Sequence, residues 1–440
     1  MNKKSYKVLL LSLYNHEAHG LRQLYSVLKK AGYDTKLVFL KLGNRRNNYL
    51  TTIEINLLRK AIVEFGPCLI GCSLVSPNFM LYKKLIEDRV IDCSDAIKLV
   101  GGWQATLHPE KTIRYCDIVC IGEGEQAILD LMDTKYKLGY FPSKVDNIWF
   151  KRGVDIIKNE VAPLNTNLDS LPVLSFDGKI CIIEDNELFN HDPYIFSERY
   201  GTILSKGCCH RCSYCSNSAA LNIYSNWSEI RFRSVDHIME ELREVKNKFP
   251  NIKYINLYDE IFAPTKEWAR IFFEKYKNDI NLPFYCMFYP GTCDEEMAEL
   301  LSNAGLQGVW IGIQSGSNRV RKEVFKRHYT NKRLLQQIEV FRKYNISIKY
   351  DFIFENPFET EEEFKETIEL IRMFPKPYLI NMFQLKFFPG TEITQMALKA
   401  KLIDKTDDQI YTDYPEYLIS NEKQEQIMEM VDGKREIKKI

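Results

Sequence analysis

The chain lacks a charge bias, a long apolar run, an internal repeat and any low-complexity tract. Its 60 Lys and Arg against 59 Asp and Glu leave a formal net charge of +1. Whole-chain charge therefore argues neither for nor against a nucleic-acid partner, and only local patches could. No stretch is long and apolar enough to span a bilayer. The first apolar run, "KVLLLSL", follows lysines, lacks a small-residue cleavage site and reads as a buried strand. A cytosolic protein is expected, and in that reducing compartment disulfides are not, although the chain has 12 cysteines. What is present is globular: 440 residues, 45% hydrophobic and 27% charged, enough for two or three domains.

From the start to about residue 139, short apolar runs alternate with helical spacing. The runs are "KVLLLSL", "DTKLVFL", "CLIGCSL", "AIKLVGG" and "CDIVCIG". Between the first two, Leu21, Leu24, Tyr25 and Leu28 share one helical face. This order predicts a Rossmann-like parallel sheet covered on both sides, spanning 1–139. Residues 140–199 read as a hairpin around Arg152–Gly153 and then a linker rich in Pro, Asn and Asp. From 200 to 400 a second alternation runs through "YGTILS", "KYINLY", "FYCMF", "GVWIGI", "IKYDFIF" and "LINMFQLKF". It predicts a partial (β/α)6 barrel. Ser234 is an expected N-cap, as is Thr360, with Glu363 at the capping-box position. The charged segment 401–440 reads as a solvated helix or frayed end.

In parallel sheets and barrels, ligands bind at the carboxyl ends of strands. The loops at those ends hold the unusual residues. "YGTILS" leads into "GCCHRCSYCS". The next strands lead to Asp259–Glu260, Tyr289–Pro290–Gly291–Thr292, Gln314–Ser315–Gly316–Ser317, Glu355–Asn356–Pro357 and Phe388–Pro389–Gly390–Thr391. Turns at strand ends are always polar, which accounts for one or two such loops. It accounts poorly for a four-cysteine loop, an acidic pair and a Gln-Ser-Gly-Ser loop on one edge. Tyr289, Trp310 and Tyr350 could line a cavity, although aromatics on strands are usually core.

Thiolates this close together are metal ligands first. Cys209, Cys212 and Cys215 give C-x2-C-x2-C; Cys208, Cys212 and Cys215 give C-x3-C-x2-C. No second cysteine pair lies nearby to complete a four-thiolate zinc site, and His210 is awkwardly placed as a fourth ligand. Three thiolates leave one metal position open. The other eight cysteines, Cys68, Cys72, Cys93, Cys116, Cys120, Cys181, Cys286 and Cys293, read as small core hydrophobes.

The C-x3-C-x2-C loop, with an aromatic before its last cysteine and a strand before it, resembles the radical S-adenosylmethionine enzymes. The resemblance implies a [4Fe–4S] cluster on Cys208, Cys212 and Cys215, with S-adenosylmethionine on the open iron and Tyr214 near adenine. It places Cys209 where relatives often have proline. "YDEIF" resembles the acidic segment that receives the methionine amino group, making Asp259 and Glu260 its candidates. "GVWIGIQSGSNRV" implies that Gln314 and Ser315 meet the ribose and the methionine carboxylate. "FIFENPFETEEEF" departs from the family pattern, with Glu355 and Phe358 where glycine is common. "FFPGTEI" matches the last such loop.

The loops "SLVSPN", "GGWQATLHPE" and "CDIVCIGEGEQAI", ahead of such a core, resemble the cobalamin-binding branch of that family. Contacts implied for cobalamin are Ser73, Ser76, Gly101, Gly102, Trp103, Gly122, Glu123, Gly124 and Glu125. "YNHEAHG" does not fit D-x-H-x-x-G. Cobalamin is therefore expected without a histidine below the cobalt, and His16 and His19 as ordinary loop residues.

The implied reaction begins with reductive cleavage of S-adenosylmethionine to a 5′-deoxyadenosyl radical, which takes hydrogen from an unactivated carbon. Methylcobalamin, recharged from a second S-adenosylmethionine, then supplies a methyl group to a small molecule or peptide. An external one-electron reductant such as flavodoxin or ferredoxin is the expected partner, and nucleic acid is not. A rearrangement or cyclisation is the alternative on the same scaffold. A methylthiotransferase acting on tRNA and a simple electron carrier explain fewer of the loops.

Overall fold

The computed structural model describes residues 2–42, 49–262, 265–377, 379–404 and 418–439. The chain divides into two compact units. One is Met1–Ser197 with the short excursion Asn222–Asn226; the other is Glu198–Leu221, Trp227–Asp404 and the end of the chain.

The first unit is built on a nine-stranded sheet. Its strands are β1 (Lys7–Leu13), β2 (Asp34–Leu40), β3 (Leu69–Ser73), β4 (Ile97–Gly101), β5 (Ile118–Cys120), β6 (Ile148–Arg152), β7 (Asp155–Lys158), β8 (Lys179–Glu184) and β9 (Glu187–Phe189), in the order β7-β6-β5-β4-β3-β1-β2-β8-β9. The central strands are parallel, and an antiparallel hairpin closes each edge. β1 is buried along almost its whole length, as a strand covered on both faces must be. Helices His19–Lys30 and Glu125–Leu138 pack on one face through Leu21, Tyr25, Leu28, Ile128 and Leu131. Thr52–Phe65 and Phe79–Glu87 cover the other through Leu58, Ile62, Phe79 and Leu85. Each such side chain contributes about 2 kcal/mol by leaving water. The order reverses at β1, between β2 and β3, so a crevice opens at the carboxyl ends there.

The stretch 140–199 does more than connect. Its hairpin is present, and "KICIIE" adds β8 parallel to β2, a strand that the Pro- and Asn-rich residues before it conceal from sequence reading.

The second unit has β10 (Arg199–Thr202), a short antiparallel pair β11 (Ser205–Lys206) and β12 (Arg231–Phe232), then β13 (Tyr254–Leu257), β14 (Phe284–Phe288), β15 (Leu306–Gln314), β16 (Ser347–Phe354) and β17 (Leu379–Gln384). Six of these form an all-parallel sheet in the order β10-β13-β14-β15-β16-β17, an open partial barrel. Its two faces are distinct. Tyr200 and Thr202 bond Glu241 of helix Val235–Lys248, and Tyr350 stacks on Phe374 with centroids 4.4 Å apart. Those residues face the helices. By alternation, Asn256, Tyr285, Met287, Trp310, Gly312, Asp351 and Asn381 face the interior. Tyr350 is thus helix-layer core, and Trp310 is an interior residue. The caps form as expected: Ser234 accepts from His237, and Thr360 and Glu363 make a full capping box.

The end of the chain is neither solvated nor frayed throughout. Helix Asn421–Val431 buries Ile427, Met430 and Val431. Arg372 of helix Glu361–Arg372 donates to its last carbonyls. Residues 405–417 of the expected charged segment lie outside the described residues.

Candidate functional site

The cysteine loop leaves β11 through Gly207, at φ +105, where a Cβ would lie 2.6 Å from the Glu229 carbonyl oxygen. Only glycine fits that turn. Ser213 then pins the loop: its hydroxyl donates to the Val324 carbonyl (2.5 Å), its amide to Phe325 (3.1 Å), and its carbonyl accepts from Ile393 (2.9 Å). Cys215 closes a turn onto the Cys212 carbonyl (3.1 Å) and starts helix Ser216–Ala220. Cys208 and Cys212 are buried, Cys215 is half-buried and Cys209 is exposed. Burial pushes the Cys208 and Cys215 thiols up to about 12, and Glu260 and the neighbouring sulfurs add to it. Among the described residues no three His, Cys, Asp or Glu stand assembled around one point. The thiols share a loop but are not a preformed tripod.

Arg327, which sequence reading missed, is buried against this loop. Nη1 donates to Cys212 Sγ (3.4 Å) and to the Tyr214 hydroxyl (3.3 Å); Nη2 donates to the Gly312 carbonyl (2.5 Å). Its guanidinium lies 4.3 Å from the centre of the Tyr289 ring, and His210 stacks on Tyr289 at 3.8 Å. Arg327 has no carboxylate partner among the described residues, and its Nε is buried without a bond. "VFKRHYT" reads as a solvated basic turn, so nothing in the sequence marks this residue.

The acidic pair splits. Asp259 turns inward, accepting from the Leu204 amide (3.0 Å) and the Ser205 hydroxyl (2.6 Å), and so braces the strand before the loop. Its Oδ2 is buried without a partner, and burial raises the carboxyl to about 7. Glu260 is the member whose charge reaches Cys208 and Cys215. Burial raises it too, with a hydrogen bond to Asn217 pulling the other way.

At the end of β15, Gln314 adopts φ +75 and leaves Oε1 buried and unbonded. Ser315 turns away from it: its hydroxyl meets Glu359 and Thr367, each at 3.3 Å, and accepts from the Ser317 amide. Glu355 keeps a left-handed φ of +55 despite its side chain, which pairs with Lys423. Phe358 packs with Tyr214, Val320 and Ile393 in a small apolar cluster at this rim.

In the first unit, Ser73, Gly101–Trp103 and Gly122–Glu125 stand at the carboxyl ends of β3, β4 and β5. Their glycines serve the chain itself. A Cβ on Gly102 would lie 2.7 Å from the Ser73 hydroxyl and the Leu74 carbonyl, and one on Gly122 1.8 Å from the Tyr224 hydroxyl. That hydroxyl accepts from the Glu123 amide (3.3 Å), and Thr106 accepts from the Gly122 amide (2.9 Å). Gly124 approaches the Cys120 sulfur. Ser76 is buried in a short 3-10 turn, and Gln104 Oε1 is buried without a bond. His16 bonds the Leu42 carbonyl (3.3 Å) through Nδ1, and His19 opens helix His19–Lys30.

The donor sets fit the implied groups. Three thiols on one loop, with Cys212 bonded by a guanidinium that has no carboxylate partner among the described residues, suit an anionic thiolate cluster. Hydroxyls and glycine-rich backbone at the carboxyl ends of β3, β4 and β5 suit a large ligand held mainly by uncharged contacts.

Comparison with known proteins agrees. The Radical SAM superfamily model matches residues 202–371 and the B12 binding domain model residues 7–132. The chain is 26% identical over 394 residues to an uncharacterized methyltransferase of Pyrococcus horikoshii, covering 87% of this chain and 79% of that one. It is 24% identical over 400 residues to the cytidylyl-2-hydroxyethylphosphonate methyltransferase of Streptomyces wedmorensis, covering 80% and 73%. Among solved structures, the radical S-adenosylmethionine methyltransferase TsrM from Kitasatospora setae, with cobalamin and a [4Fe-4S] cluster bound, superposes with a TM-score of 0.73 at 16% identity, covering 90% and 75%. Among the described residues no helix is long and apolar enough to cross a membrane.

Proposed function

This chain belongs to the radical S-adenosylmethionine superfamily and carries a B12 binding domain ahead of that core, and from that premise we propose that it is a cobalamin-dependent methyltransferase acting on an unactivated carbon. When bound, the cluster with S-adenosylmethionine supplies a hydrogen-abstracting radical, and cobalamin supplies the methyl carrier. Cys208, Cys212 and Cys215 hold the iron. Arg327 offsets the thiolate charge at Cys212 and orders Tyr214. Glu260 receives the ammonium of the methionine moiety, and Gln314 offers its unbonded oxygen to the ribose. Asp259 and Ser315 brace the loops that carry these groups. Ser73, Ser76, Trp103 and the turns at Gly101–Gly102 and Gly122–Glu125 form the cobalamin rim. An external one-electron reductant supplies the electron.

The observation that carries this reading is the pairing of a three-thiol loop, set on the carboxyl rim of a parallel partial barrel, with a B12 binding domain in the same chain. The test is anaerobic reconstitution with iron, sulfide and hydroxocobalamin, with both metals quantified. About four irons and one cobalt per chain, a base-off optical spectrum after reduction, and, once S-adenosylmethionine and dithionite are added, release of both 5′-deoxyadenosine and S-adenosylhomocysteine are expected. Iron without cobalt would remove the methylation claim; cobalt without 5′-deoxyadenosine would remove the radical one.

A further inference from the structure

We propose that Asp351, held by Asn381 on the inner face of the partial barrel, is a recognition point for a cationic nitrogen, so that the substrate presents an ammonium or similar N–H group there. This names the substrate class for the reading above and rests on it.

Asp351 and Asn381 are register partners on β16 and β17. Both face the interior, because Tyr350 on one side of Asp351 and Phe352 on the other belong to the helix layer with Phe374. Asn381 Nδ2 donates to Asp351 Oδ1 at 2.7 Å. Among the described residues the carboxyl makes no other hydrogen bond and no ion pair. The side chain is half-buried, and a largely desolvated carboxylate with no ion pair gains from a cation brought against it. Burial accordingly lifts this carboxyl to about 6.

The surroundings favour a ligand rather than a structural rung. On β15 the residue level with Asp351 is Gly312, which has no side chain of its own; the Gln314 amide nitrogen and the Arg327 guanidinium stand 2.8 and 3.6 Å from where its Cβ would be. One rung toward the amino end stands Trp310, 5.7 Å from Tyr285, which is 5.4 Å from Tyr254. Trp310 is level with Lys349, so the aromatic faces and the carboxylate lie on adjacent rungs of one inner face, a surface that can receive a cation with an apolar body. The same face carries Asn256, fully buried, with Oδ1 unbonded. The charged group whose field reaches Asp351 is Lys349, two residues away on the same strand and face, and it lowers the carboxyl only partly. β15 and β17 bring no charge to it. A substrate cation would complete this arrangement, whereas an anion placed at Asp351 would be repelled.

The experiment uses the full chain loaded with iron, cobalamin and S-adenosylmethionine, and two probes of one shape: phenethylamine and 3-phenylpropionate. Calorimetric titration at pH 7.5 should show the amine binding at least about tenfold tighter than the acid. Asp351→Asn, which keeps a hydrogen-bonding partner for Asn381, should abolish that preference, and Asp351→Lys should reverse it. As pH falls through about 6 the wild-type preference should fade, because Asp351 becomes neutral while Lys349 and the amine stay cationic. Equal binding of the two probes, binding of neither, or a preference that survives in Asp351→Asn overturns the proposal. Release of 5′-deoxyadenosine by the wild type is read in parallel. Its absence sinks the radical reading and leaves the amine preference to be judged on the binding data alone.

Discussion

At the carboxyl end of β5 the hydroxyl of Tyr224 occupies the space over Gly122, and at β3 and β4 the backbone around Leu74 packs into Gly102. At the ends of β13 and β15, by contrast, Asp259 Oδ2 and Gln314 Oε1 are buried with nothing to bond, and Arg327 has no carboxylate partner, among the described residues. The same kind of edge is finished in two ways. The first rim is closed by the chain's own atoms except at Gln104 Oε1, and offers a ligand backbone and hydroxyls. The second is left electrostatically incomplete, so a charged ligand gains more there than water could give. A large cofactor held by shape suits the first; a thiolate cluster and a zwitterionic methionine group suit the second.

If the two rims are independent in this sense, Cys212→Ala should reduce iron and S-adenosylmethionine cleavage to background while cobalt retention stays at the wild-type level. Loss of both metals would break the comparison. Gly122→Ala reverses the experiment. Its Cβ collides with Tyr224 at a backbone angle that alanine tolerates poorly, which should cost about 2–3 kcal/mol in urea unfolding. Cobalt should fall and iron should not, and adding Tyr224→Ala should restore part of the loss. Arg327→Gln sharpens the electrostatic side. Without the guanidinium at Cys212, cluster retention and cleavage should drop about tenfold to a hundredfold, with cobalt unaffected.

The smallest effect is expected where neither rim is involved. Thr360→Ala removes a helix cap and should cost about 1 kcal/mol. Its partner Glu363 is held at about 2 by Arg319. A carboxylate lowered in this way stabilises the fold above the usual carboxylate range, and that contribution is lost as pH falls toward about 2. The urea midpoint of wild type should therefore drop more steeply between pH 5 and 3 than that of Glu363→Gln.

Much of this was legible in advance because it rests on local pattern. Every strand of the two parallel sheets up to β5, and from β10 to β17, shows as an apolar run. The caps at Ser234 and Thr360 follow from residue type and spacing. β8 was not legible, because "KICIIE" follows a Pro- and Asn-rich stretch and pairs with a strand far back in sequence. Arg327 was hidden for a related reason: a basic residue in "FKRHYT" looks solvated until β15 and the cysteine loop enclose it. The division of labour within Asp259–Glu260, and the turning of Ser315 toward Thr367, depend on which side of a strand end faces the helix layer.

The sequence by itself determined the two alternating α/β units, the three-thiol loop and the edge on which the unusual residues lie, since periodicity, turn chemistry and ligand spacing are properties of short segments. Only the tertiary structure decided which polar groups were consumed in holding the loops and which remained unbonded toward the interior. That choice depends on the neighbours each strand acquires in the sheet, and those neighbours are distant in the chain.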